Sequence, residues 1–136
     1  YREQVEELIH DLVMVGHCVL HISVHSFTPV LDGEERLTDI GLLYDPKRSN
    51  ERQFCRAWKK ALLDKDKDIV VRYNYPYLGT SDGLPTYLRR KFTSEQYLGI
   101  ELEVNQKYVK GPEAEWHKMQ QVLSKSLEGL LKQWQN

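Results

Sequence analysis

The run CVLHISVH ends on His25, and the later run GIELEVNQ carries Glu101 and Glu103. An imidazole is the commonest protein metal ligand, and a carboxylate beside an activated water can act as its general base. In open α/β sheets ligands collect beyond the carboxyl ends of the strands, which is where these residues fall. If the two strands run parallel as near neighbours, the histidine and an acid reach a single crevice. The plainer readings are a hydrogen-bonded structural histidine and carboxylates facing solvent. No HExxH, CxxC, GxGxxG, P-loop or GxSxG pattern occurs. Cys18 and Cys55 have no neighbouring-histidine motif and are expected to pack in the core. His10, His17 and His117 read as surface residues of helices or turns. His21 lies deeper along the strand face of His25 and reads as a core hydrogen-bond donor.

The elements that must position these groups follow from periodicity. Val5, Leu8, Ile9, Leu12 and Val13 predict an amphipathic helix over 2–15, stopped by Gly16. Residues 18–25 are β-rich, with Val19, His21, Ser23 and His25 on one face and Cys18, Leu20, Ile22 and Val24 on the other. Residues 26–37, with Pro29 and the turn Asp32-Gly33, form a loop. A second strand covers 38–44. A helix follows, capped by Ser49 or Asn50, with Phe54, Ala57, Trp58, Ala61 and Leu62 as its buried stripe. The charged run 64–68 is a solvated connection, and 69–73 is a third strand. Residues 74–83 make a loop longer than most βα connections, a length that is often functional. Pro85 opens a short helix to about Phe92. Residues 97–104 give a fourth strand, and Gly111-Pro112 opens a closing helix striped by Trp116, Met119, Leu123, Leu127, Leu130 and Trp134. Helices mostly alternate with strands, so the expected fold is α/β. No helix joins the first strand to the second, which favours a mixed, mostly parallel sheet flanked by helices.

The chain has 136 residues, 40% hydrophobic and 29% charged, enough to bury one core and to exclude disorder, collagen and coiled coil. Nineteen basic residues against 20 acidic ones give a net charge of -1, so no polyanion-binding field and no nucleic-acid partner are expected. No apolar run approaches the ~20 residues that span a bilayer, so no membrane partner is expected either. Two cysteines and no signal-like start fit a reduced, cytoplasmic setting.

The stretch HISVHSFTPVLDGEERLTDIGLLYDP, then YNYPYLGTSDG, then IELEVNQKYV resembles the N-formylglutamate amidohydrolase family over roughly residues 20–110. The family pattern is matched in order by His25-Ser26-Phe27-Thr28-Pro29, Arg36, Gly41-Leu42-Leu43, Asn74-Tyr75-Pro76-Tyr77-Leu78-Gly79 and Glu103-Val104-Asn105-Gln106. The resemblance implies a fold related to zinc carboxypeptidases and a metal-dependent deacylase of small N-acyl amino acids such as N-formylglutamate. It makes His25 a zinc ligand and selects Glu103 over Glu101 as the proton-transferring carboxylate, with Glu101 a nearby like charge. Arg36 is then a candidate for the oxyanion or the substrate carboxylate, and equally for the surface. Arg89, beside Arg90, has the fork geometry for a carboxylate, or else lies on an exposed helix face. Asn74 and Tyr77 could contact the substrate amide. The family draws its other zinc ligands from a region before the first helix here. The chain is therefore expected to be a single domain over 1–136 or the C-terminal part of the family domain, with further ligands upstream of Tyr1. The alternative is a truncated, non-catalytic homologue that binds a small carboxylate-bearing molecule or peptide.

Overall fold

A computed structural model describes residues 1–134. Helix α1 (Arg2–Met14) ends where Gly16 turns the chain at φ +93°, and strand β1 (Val19–Phe27) follows. The segment expected to be a plain loop holds a small hairpin, β2 (Val30–Leu31) and β3 (Glu34–Glu35). Its turn is Asp32-Gly33, both at positive φ, the pairing that suits a tight hairpin. Strand β4 (Ile40–Leu43), helix α2 (Ser49–Lys65), strand β5 (Val71–Tyr73), helix α3 (Leu84–Lys91) and strand β6 (Tyr97–Asn105) complete the sheet. A short helix α4 (Gln106–Lys110), absent from the sequence reading, precedes α5 (Glu113–Trp134). The Asn105 side chain accepts from Lys107 N at 2.9 Å and so caps α4. No helix among the described residues is long and apolar enough to cross a membrane.

The strand order is β1-β6-β4-β5. β1·β6 and β4·β5 are parallel and β4·β6 is antiparallel, so the sheet is mixed and mostly parallel, as expected. One face carries Ile40, Leu42, Val71, Leu98, Ile100, Leu102 and Val104, packed against α2 and α5. Phe54, Trp58 and Leu62 of α2 are essentially inaccessible, each worth roughly 1.5–3 kcal/mol of transfer free energy. Along α5 the buried line is Met119, Val122, Ser126 and Leu130, with Leu123 and Leu127 half-buried beside it. Ser126 is tolerated there because its hydroxyl accepts from Trp58 Nε1 at 3.0 Å.

On the other face, helices α1 and α3 cover the region where β1 and β6 begin. Ile9 of α1 and Leu88 of α3 bury Tyr97 together with Phe92. His21, expected as a core donor, is half-buried and hydrogen-bonded, with Nδ1 2.8 Å from the Tyr97 hydroxyl. Two expectations fail. Cys18 is exposed, because it lies between the Gly16 turn and the first residue of β1, whereas Cys55 is buried and its thiol is pushed up by desolvation. Neither Ser49 nor Asn50 caps α2; Arg48 occupies that position without a side-chain cap bond, and Asn50 Nδ2 instead donates to Ser94 O at 3.0 Å.

Candidate active site

The parallel ladder of β1 and β6 pairs His25 with Glu103 and Ser23 with Glu101. Paired residues on adjacent strands are about 4.8 Å apart and share a face. The imidazole and the carboxylates therefore stand side by side on the face that α1 and α3 leave open at the strand ends. His25 Nε2 lies 3.0 Å from Ser23 Oγ, which fixes one ring nitrogen and leaves the other for a ligand. Glu103 is only 4% exposed, and its Oε1 is buried with no hydrogen-bond partner. Burial raises the Glu103 carboxyl above its usual range, opposed by His25, reinforced by the negative charge of Glu101 and opposed again by Arg36. Burial also raises Glu101, against the pull of His25 and Arg89. A buried carboxylate oxygen without a donor is unusual enough to mark a place that a ligand or proton must fill.

The next wall comes from β4, where Gly41 stands opposite Glu103. A Cβ on Gly41 would lie 1.8 Å from the Tyr75 carbonyl oxygen and 3.4 Å from the Glu103 Cβ. Only a bare backbone lets the loop 74–83 cross the sheet here. Gly41→Ala is expected to destabilise the fold by about 1–3 kcal/mol, as overpacking does, read as a lowered denaturant midpoint. Asn74, at φ +50°, holds the loop by accepting from Tyr44 N at 3.1 Å and from Gly79 N at 3.0 Å. The loop then brings Tyr77, Ser81 and Asp82 to a cleft of about 350 Å³ shared with His25, Glu101 and Glu103.

The sequence candidates thus separate. His25, Glu103 and Tyr77 meet in the cleft. Arg36 lies at its rim, with its guanidinium 5.7 Å from the Phe27 ring and 5.8 Å from the Tyr77 ring, and it reaches Thr28 O at 3.4 Å. Asn74 staples the loop: its side-chain carbonyl oxygen accepts from two backbone amides. Arg89 is neither a free fork nor an exposed helix residue. Its Nε donates to Glu51, and its two terminal nitrogens donate to Gly79 O and Gly99 O, each at 2.7 Å. The family-like Asn105 and Gln106 are likewise structural: Asn105 Nδ2 donates to Arg36 O and Thr38 O, and Gln106 Nε2 to Ser26 Oγ. Sequence reasoning gave no site role to Ser23, Gly41, Ser81 or Asp82. The period-two spacing of Ser23 from His25 and a glycine inside a strand were the available signals for the first two.

Among the described residues, no three His, Cys, Asp or Glu are grouped so as to hold a metal ion. The donor set fits one imidazole ligand with an unpartnered carboxylate beside it, and not a complete metal shell. A family model described as N-formylglutamate amidohydrolase matches residues 1–109, spanning every cleft residue above. The chain belongs to the N-formylglutamate amidohydrolase family. The family name denotes enzymes that hydrolyse amides of small molecules. Among solved structures, the chain of this N-formylglutamate amidohydrolase family member is similar to the gene product Atu2144 from Agrobacterium tumefaciens. The TM-score is 0.72 at 25% identity, covering 100% of this chain and 51% of that one. The chain thus spans about half the length of that relative. No curated protein matches it.

Proposed function

We propose that this chain contributes the proton-transfer face of a metal-dependent amidohydrolase that cleaves the N-acyl amide of a small amino acid. N-formylglutamate is the substrate that the family name carries. The observation behind this reading is the register of His25 with Glu103, whose buried Oε1 has no partner, at the floor of an open cleft.

His25 is the ligand this chain offers to a zinc ion, whose remaining ligands are not grouped with it among the described residues. Such an ion, when bound, polarises the acyl carbonyl and makes a nearby water a stronger acid. Glu103 Oε1 accepts the proton of the attacking water, and its raised affinity for protons keeps it a usable base and then a usable acid. The water oxygen adds to the acyl carbon to give a tetrahedral oxyanion; as this collapses the C–N bond breaks and Glu103 returns the proton to the departing amine, leaving a free carboxylate and a free amino acid. Arg36, at the rim, neutralises the developing oxyanion or the α-carboxylate of the substrate. Ser23 helps orient the His25 ring through the contact of its hydroxyl with Nε2.

The test measures zinc per protein and formate release from N-formyl amino acids, with and without a chelator. Stoichiometric zinc and chelator-sensitive turnover, both lost in His25→Ala, support the assignment. Zinc and turnover that survive His25→Ala would overturn it. The lack of a three-residue metal cluster among the described residues favours a second reading, a carboxylate-binding homologue without catalysis. Tight binding without formate release in any zinc-loaded form would select that reading.

A further inference from the structure

Arg36 leads out of the β2–β3 hairpin, whose strands are two residues each and exposed throughout. A two-stranded hairpin is marginal by itself in water, so it cannot hold the residue at its root. Leu37, the next residue, is 68% exposed and adds no packing. The arm 36–38 is nevertheless tied down, and the tie comes from β6. The β4·β6 ladder pairs Ile40 with Val104, and Asn105 N donates onward to Asp39 O at 3.0 Å. Beyond that point the Asn105 side chain takes over from the backbone. Its Nδ2 donates to Thr38 O at 3.0 Å and to Arg36 O at 3.1 Å, while its Oδ1 accepts from Lys107 N at 2.9 Å. Asn105 is fully buried, so removing the amide would strand two carbonyls without partners. Two donors and an acceptor on so short a stem belong to asparagine; aspartate lacks the donors, and glutamine carries them one methylene further out.

Asn105 follows Glu103 on the same face of β6 and pairs with Phe27 of β1. The Arg36 guanidinium lies between the Phe27 ring and the ring of Tyr77, which itself lines the cleft. We infer that Asn105 is a positioning residue: its amide fixes the 36–38 arm to the strand of Glu103 and so sets where the Arg36 guanidinium meets the substrate. The part played by Arg36 rests on the amidohydrolase reading, whereas its placement is a matter of the fold alone. A displacement of about 1 Å in a group that orients substrate can cost roughly a hundredfold in rate.

The experiment has two readouts. NMR of the chain records contacts of the Arg36 side chain with the Phe27 and Tyr77 rings, and formate release from N-formylglutamate by the zinc-loaded chain gives kcat and KM. The variants are Asn105→Ala, Asn105→Asp (which keeps the shape and the bond from Lys107 N), Arg36→Ala, and Arg36→Ala combined with Asn105→Ala. Both Asn105 variants are expected to lose the Arg36 ring contacts while keeping the contact of His21 with Tyr97. Their kcat/KM is expected to fall by about 10–100-fold, in whichever of kcat or KM Arg36→Ala moves. The double variant should match Arg36→Ala alone, since a residue acting through Arg36 adds nothing once the arginine is gone. Ring contacts that persist in a folded Asn105 variant, or losses that add in the double variant, would overturn the inference. Failure of both Asn105 variants to fold would overturn it too, by making the residue purely structural. If the parent releases no formate but the ring contacts vanish as expected, the amidohydrolase reading falls and the placement of Arg36 by Asn105 stands. If the parent turns over and the contacts do not move, the reverse holds.

Discussion

Glu103→Gln is expected to lower turnover of an N-formyl amino acid by about 10²–10⁴-fold without weakening zinc retention or the fold. Glutamine has the shape of glutamate and keeps the pairing of position 103 with His25 and Gly41, so the cleft geometry survives. Its amide oxygen cannot take up and return a proton. The carboxylate it replaces is buried with one oxygen unpartnered, and an uncharged amide costs less to bury than an ionised acid. The variant should therefore unfold at an equal or higher denaturant concentration than the parent while losing activity. Near-normal turnover would reject Glu103 as the proton-transferring group. A fall in stability equal to the fall in activity would instead recast it as a structural residue.

Arg89→Ala is expected to lose about 3–5 kcal/mol of stability, the usual result of stripping one partner from a buried ion pair. Strand β4 ends at Leu43, opposite Glu101, so Gly99 on β6 has no strand partner on that edge. The Arg89–Glu51 pair takes the place of the missing strand: Glu51 accepts from Gly99 N at 2.9 Å and Arg89 donates to Gly99 O. Glu51 also accepts from Asp45 N at 2.9 Å, while Arg89 ties down Gly79 of the loop that lines the cleft. Side-chain exposure of 7% and 0% leaves water no route to replace these bonds. Arg89→Lys should recover little, because one ammonium cannot span three acceptors set by a planar fork. Replacing both partners with apolar residues should not restore stability either, unlike a simple ion pair, since the amides of Gly99 and Asp45 and the carbonyls of Gly79 and Gly99 would stay unpaired. Urea denaturation with an unchanged m-value reads all three variants, and a loss below about 1 kcal/mol for Arg89→Ala would show that the pair is dispensable.

These two residues show what a sequence makes legible. His25 and Glu103 stand at the ends of short alternating strands whose period of two assigns each a face, and the family-like segments around them single them out. That the two strands are direct, in-register neighbours is a long-range fact, set by packing between segments about 80 residues apart. Arg89 was opaque for the same reason. Its local context, a short amphipathic helix ending in LRRK, reads as solvent-facing, and nothing nearby betrays Glu51, 38 residues earlier in the chain. The structural part played by Asn74 was not legible locally, because its positive φ and the two amide bonds it accepts depend on how the loop folds back on Tyr44 and Gly79. Helix α4 hid behind the end of β6, because five residues carry too little periodicity to register.

The pairing of β1 with β6 has a further consequence. Alternation along these strands ties chemical competence to counting. Adding or deleting a single residue between Val19 and His25, or between Tyr97 and Glu103, would turn the far part of that strand over. Val24 or Ser26 could then stand where the imidazole belongs, or Leu102 or Val104 where the carboxylate does. Such a frameshift in space could spare secondary structure and solubility while abolishing function. Along these two short stretches, lineages should tolerate changes of residue type far more readily than changes of length.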